Sequence, residues 1–154
     1  MSERNTVKAT FTVERTYKAS PARVFKAFAD EQAKAKWFAG PPGWEEHEKT
    51  FDFRVDGLEV MVGRHASGMV SAFYATYHDI VPDERIVYAY RMTIDGVPLS
   101  STLATIEIRP EGSGAHLTLT EYGVYFDGMS TGAAESREHG TNWLMDKLGE
   151  SLAD

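Results

Sequence analysis

The sequence predicts an α+β domain: a curved antiparallel sheet of six to seven strands wrapped around a long C-terminal helix, in the order β-α-α-β-β-β-β-β-β-α. Three observations carry this. Residues 7–17 alternate apolar and polar side chains, the period of a half-buried strand. Asp56-Gly57 and Asp95-Gly96 each stand between alternating apolar runs, as in tight hairpins. Over residues 131–152 the spacing becomes helical, with Gly140, Leu144, Leu148 and Leu152 on one stripe.

Taken in order, the first strand puts Val7, Ala9, Phe11, Val13 and Tyr17 on one face, interrupted near its end by Arg15 at a rim. Ser20-Pro21 then opens a helix. Serine is a good N-cap, and proline suits the first helical position because its missing N–H would find no partner there. Val24, Phe25 and Phe28 point inward at helical spacing. A second short helix over residues 31–38 ends with Trp37 and Phe38, before the breaker Gly40-Pro41-Pro42-Gly43.

Strands joined by tight turns follow. A type I′ turn at Asp56-Gly57 pairs Val55 with Leu58, Phe53 with Val60 and Phe51 with Val62, all apolar on one face. After a strand over residues 69–81, closed by Pro82-Asp83, the run Ile86, Tyr88, Tyr90, Met92 and Ile94 leads to Asp95-Gly96. Across that turn Ile94 meets Val97, and Met92 meets Leu99. The apolar phase then moves to Ala104, Ile106 and Ile108, which predicts a β-bulge over residues 100–103. In the last strand, residues 116–126, it moves from Leu117 and Leu119 to Tyr122, Val124 and Phe126, predicting a second bulge at Thr120-Glu121. Bulges help a sheet curl. The terminal helix carries Trp143 and Met145 beside its stripe, with Glu135, Glu138, Asp146 and Glu150 opposite.

A chain of 154 residues has the length of one domain, read here as residues 1–154. With no cysteine, disulfides, thiolate metal sites and cysteine nucleophiles are excluded. A formal charge of −7 and no Lys/Arg cluster argue against nucleic acid. The polar opening MSERNTVKAT lacks the apolar stretch of a signal peptide, and no run approaches the roughly 20 apolar residues of a membrane span. A cytoplasmic protein without membrane insertion is expected.

Several stretches together resemble the SRPBCC (START-like) superfamily, in the branch similar to the activator of the heat-shock chaperone ATPase. They are VERTYKASPARVFKAFAD from Val13, Trp37, HDIVPDERIVYAY from His78, LTLTEYG from Leu117 and GTNWLMDKLGESL from Gly140. The resemblance spans residues 7–152 and implies a helix-grip fold, its sheet gripping the terminal helix over a hydrophobic cavity. Relatives include lipid carriers, polyketide cyclases, hormone receptors and a co-chaperone domain, so the resemblance leaves function open. Related domains are often dimers, and a homodimer is compatible with the exposed strand edges expected here.

The candidate ligand-binding residues are Trp37, Phe38, Tyr74, Tyr88, Tyr90, Met92, Tyr122 and Trp143, expected to face the interior. Aromatic faces supply apolar area, while Tyr O–H and Trp N–H groups orient a ring-containing ligand. Among the ionisable candidates Arg64, Arg91, Glu107 and Glu121, Glu121 is the catalytic one. Turned inward at its bulge, it would act as an acid or base beside Tyr88, Tyr90 or Tyr122. His47, His65, His78, His116 and His139 are scattered, so no metal is expected, nor any cofactor; only His65 and His78 are placed to meet across neighbouring strands. The leading expectation is a binder of a small hydrophobic, aromatic or lipid-like molecule. A cyclase, dehydratase or hydrolase of a polyketide-like substrate comes second, and a chaperone-ATPase-activating module third.

Overall fold

The computed structural model describes residues 4–127 and 133–153. Seven strands form one antiparallel sheet: β1 (Thr6–Tyr17), β2 (Trp44–Phe51), β3 (Leu58–His65), β4 (Val70–Val81), β5 (Arg85–Ile94), β6 (Val97–Glu111) and β7 (Gly114–Phe126). Their spatial order is β1-β7-β6-β5-β4-β3-β2. Strands β2 to β7 therefore run as a meander, with β1 added beside β7. Helices α1 (Pro21–Ala29) and α2 (Glu31–Ala35) carry the chain from the β1 edge to the β2 edge. The long helix α3 (Ala133–Leu152) packs against β1, β7 and α1. This is the predicted helix-grip fold.

Local chemistry sets the helix boundaries. Ser20 Oγ accepts the Arg23 N–H at 3.2 Å with Pro21 at the first helical position, as capping requires. Asp30 closes α1 and also caps α2, accepting the Ala33 N–H at 2.9 Å. Trp37 follows α2, buried, and its Nε1–H donates to the Ala27 carbonyl at 2.9 Å, tying the two helices together. The main core unites Phe11, Val13 and Tyr17 of β1, Val24 and Phe28 of α1, Ile106 and Ile108 of β6, Leu117 and Leu119 of β7, and Met145 and Leu148 of α3.

The seam of α3 differs from the predicted stripe. Thr141, Met145 and Leu148 are buried and Leu144 and Leu152 half-buried, while Gly140 is exposed. A straight row of i, i+4 residues drifts around a helix, so contact with one surface needs alternating steps of three and four.

Tyr17 anchors this helix: its O–H donates to the Met145 carbonyl at 2.7 Å, and its ring lies where a Cβ on Gly149 would stand, 3.0 Å away. Gly149→Ala is therefore expected to destabilise the fold by about 1–3 kcal/mol through overpacking, despite the better helix former. Gly140→Ala, with nothing within 4 Å of the added methyl, is expected to stabilise by up to about 1 kcal/mol. Urea unfolding of the two variants checks the opposite signs.

Three predicted registers are corrected. At Asp56-Gly57, β2 stops at Phe51, and Phe51 faces Glu59 across the ladder rather than Val62. Asp56 is left-handed (φ 68°) but Gly57 is not, so no type I′ turn forms. The loop instead seats Phe53 edge-on against Phe25 and Tyr77, with ring centroids 5.7 and 4.9 Å apart. Its Asp56 N–H donates to the Tyr77 carbonyl, and the Tyr77 N–H to the Gly57 carbonyl. At Asp95-Gly96 both residues are left-handed and Ile94 faces Val97 as predicted, but Met92 pairs with Ser100. The extra residue is thus Leu99, before the predicted 100–103. In β7 the register runs unbroken from Gly114 to Tyr125 against β6, and from Ala115 to Phe126 against β1, so no bulge lies at Thr120-Glu121.

Candidate functional site

Unbroken alternation in β7 decides what enters the cup. Leu117, Leu119, Glu121, Gly123 and Tyr125 share the concave face, which leaves Tyr122, Val124 and Phe126 on the other. On β6, Ser100, Thr102, Ala104, Ile106 and Ile108 are the inward set. On β5 it is Ile86, Tyr88, Tyr90 and Met92. One end of the concave face is thereby apolar and the other polar.

At the polar end five polar side chains converge beside the Tyr125 ring. Tyr90 Oη donates to Glu121 Oε1 at 2.5 Å. Arg137, from the first turns of α3, donates through Nη1 to Tyr90 Oη at 3.0 Å and through Nη2 to Ser100 Oγ at 2.8 Å. Its guanidinium lies 5.5 Å from the Tyr90 ring and 5.3 Å from the Tyr125 ring, a cation held between two aromatic faces. Thr102 stands in register with Tyr90 and Gly123; it is only 3% exposed, and its Oγ1 has no hydrogen-bond partner among the described residues. Gly123 makes room for this packing, since a Cβ there would meet the Tyr125 ring at 2.9 Å.

The electrostatics follow from burial. Glu121 is 3% exposed, and its carboxyl pKa is raised above the ordinary 4.5 by desolvation, opposed by the Tyr90 hydrogen bond and the Arg137 charge. Desolvation also pushes the Tyr90 phenol well up, helped by the Glu121 charge. Burial works against the Arg137 cation, yet Tyr90, Tyr125 and Glu121 outweigh it and hold its pKa above the ordinary value. The cluster thus holds a carboxyl that takes up a proton readily, a phenol that keeps its own, and a fixed cation.

Of the predicted residues, Tyr90 and Glu121 lie in this cluster. Tyr88 and Met92 pack beside Tyr90, and Phe38 reaches the same wall through Phe73, with ring centroids 5.3 Å apart. Trp37 is core, its N–H already used. Three aromatic residues expected inside are outside. Tyr122 is 52% exposed on the convex face, because the predicted bulge is absent. Tyr74 shares that face, stacked under Arg91 at 4.2 Å, since its neighbours Phe73 and Ala75 point inward. Trp143, 37% exposed, lies on the outer side of α3 beneath Lys147. Arg64, Arg91 and Glu107 are exposed, so among those four ionisable candidates Glu121 alone is inward. His65 packs on Trp44, while His78 sits at a β4 bulge, so the two do not meet.

Sequence reading missed Ser100, Thr102, Tyr125 and Arg137. Period two was the available signal for the first three, because they continue the inward phase of Ala104–Ile108 and of Leu117–Leu119. At the polar end of the concave face the Arg137 side chain fills the space where an apolar pocket was predicted.

The chain matches the family model described as Activator of Hsp90 ATPase homolog 1-like protein over residues 18–153. No curated protein matches it. Among solved structures it is similar to the Mll3558 protein from Rhizobium loti, at 44% identity and a TM-score of 0.89 over 96% of this chain and 99% of that one. A protein from Rhizobium leguminosarum shares 36% identity at a TM-score of 0.91, over 99% of both chains. CV1439 from Chromobacterium violaceum shares 30% at 0.78, over 94% and 97%. The chain therefore belongs to the family of Activator of Hsp90 ATPase homolog 1-like proteins, with the SRPBCC-type fold.

Proposed function

We propose that the protein binds a small, largely apolar, uncharged molecule bearing a hydrogen-bond acceptor, in the cup between the sheet and α3. The observation that carries this reading is the unpartnered Thr102 hydroxyl inside a cluster of four other polar side chains. A buried hydroxyl without a partner costs about 1–3 kcal/mol, which an apolar side chain would avoid. Glu121 and Arg137 balance each other's charge, so an uncharged ligand leaves no buried charge unpaired. Thr102 and Ser100 hydroxyls offer donors suited to a carbonyl oxygen. Phe73, Tyr88 and Met92 supply apolar walls. Seating a ring requires Arg137 to leave the space between Tyr90 and Tyr125.

Calorimetric titration with flavanone, against flavan lacking the carbonyl, tests the reading. Thr102→Val is expected to leave stability unchanged or higher while weakening flavanone binding about tenfold, the size of one lost hydrogen bond. Equal affinity of the two ligands, or for wild type and Thr102→Val, contradicts it.

A second reading rests on the 2.5 Å Tyr90–Glu121 hydrogen bond: an acid–base pair acting on the carbonyl ligand it holds, in the manner of a cyclase or dehydratase. Turnover of a bound polyketide-like ketone, lost in Glu121→Gln, distinguishes it from binding alone. The family description favours a third, the stimulation of a chaperone ATPase, which an ATPase assay with the chaperone present decides.

A further inference from the structure

A second polar cluster lies apart from the Arg137 site, where α2 meets β3 and β4. Lys34 Nζ donates to Glu59 Oε1 at 2.6 Å and lies 3.4 Å from Tyr77 Oη. Tyr77 also donates to the same Glu59 oxygen, at 2.6 Å. The Lys34 and Glu59 side chains are 12% and 4% exposed. The ammonium is set against the rings of Phe38 and Phe51, 4.6 and 5.4 Å from their centroids. A pocket opens onto it, with an interior of about 10 Å³, room for about one water. Its apolar walls include Phe38, Phe51 and Met61, with Glu31 and Lys49 also lining it.

We infer that Lys34 is a nucleophilic amine that captures a small aliphatic carbonyl compound as an imine, with Glu59 as its proton shuttle. The arrangement fits each step. The ammonium passes a proton to Glu59, and the neutral amine attacks the carbonyl carbon, forming the C–N bond while the π pair moves onto oxygen. Glu59 returns the proton to that oxygen, takes one from nitrogen, and delivers it to the hydroxyl. The C–O bond breaks, water leaves, and a protonated imine stands beside the Glu59 carboxylate. One ion pair begins and ends the sequence, so no buried charge is left unpartnered. Burial holds the Lys34 pKa below its ordinary value; Glu59 opposes this and the Lys49 charge assists it. Apolar walls and a one-water interior select a short alkyl substituent that extends outward past Phe38 and Phe51.

Competitive reductive alkylation tests this in the wild-type chain, with propanal and sodium cyanoborohydride at neutral pH and peptide mass spectrometry over time. Lys36, two residues away and exposed, is the internal reference. Lys34 is expected to label at least about tenfold faster than Lys36, through the acid–base help of the adjacent Glu59. Glu59→Gln, checked for folding by circular dichroism and compared with wild type at a pH high enough to free the amine in both proteins, is expected to slow Lys34 labelling about tenfold through loss of the shuttle. Labelling of Lys34 no faster than Lys36, as for a sealed ion pair, overturns the inference. So does faster labelling in Glu59→Gln.

Discussion

Lys34→Met is expected to destabilise the protein by about 3–5 kcal/mol, because it strands the Glu59 carboxylate in the interior with the Tyr77 hydroxyl as its remaining partner among the described residues. Taking a carboxylate out of water costs several kcal/mol, and its repayment here comes mainly from the ammonium 2.6 Å away. At this chain length the midpoint of thermal unfolding should fall by roughly 10 °C. Adding Glu59→Gln should recover most of the loss, since the amide carbonyl still accepts from Tyr77 and no charge remains buried. Urea unfolding of the single and double variants measures the coupling. A single variant within about 1 kcal/mol of wild type contradicts the burial of this pair.

The second large effect depends on pH. Glu121 has its folded pKa raised above the ordinary 4.5, so the folded state holds the proton longer than the unfolded chain. Stability contributed by this group is therefore full below pH 4.5 and is lost as pH rises through the folded pKa. Arg137 limits that loss, because its charge favours the carboxylate. Arg137→Met removes the limit and lifts the carboxyl pKa further. The variant should match wild type near pH 4 and fall about 3 kcal/mol below it at pH 8. Arg137→Met with Glu121→Gln should lose this pH dependence. Urea unfolding at the two pH values checks the sign, and an equal cost at both contradicts the coupling.

The same two groups show how far the sequence could be read. Period-two alternation in β1, the Ser20-Pro21 helix start and the left-handed Asp95-Gly96 pair were legible because apolar pattern and turn chemistry agree there. The polar end of the cup was not, and the reason is physical. Ser100, Thr102 and Glu121 occupy positions where a core strand would carry apolar residues, so an apolar count reads them as a shift of phase. The bulge at Thr120-Glu121 rests on that apparent shift, whereas the shift read over residues 100–103 is real and falls one residue earlier, at Leu99. Keeping the phase instead puts Tyr125 inside and Tyr122 outside, as observed. At Asp56-Gly57 the local turn preference lost to burial of Phe53 and to hydrogen bonds with Tyr77, partners distant in sequence. Arg137 lay beyond single-sequence reading, because a charged residue near a helix start reads as solvated.

Whether the cup holds a ligand is tested most directly by titrating flavanone into isotope-labelled protein and following its amide and methyl resonances. Occupancy of the polar end should shift Thr102, its strand partners Tyr90 and Gly123, and Arg137 on α3, while the convex face stays still. A response confined to the groove of about 280 Å³ formed with Lys8, Thr10, Tyr122 and Val124, or none at all, would contradict the account.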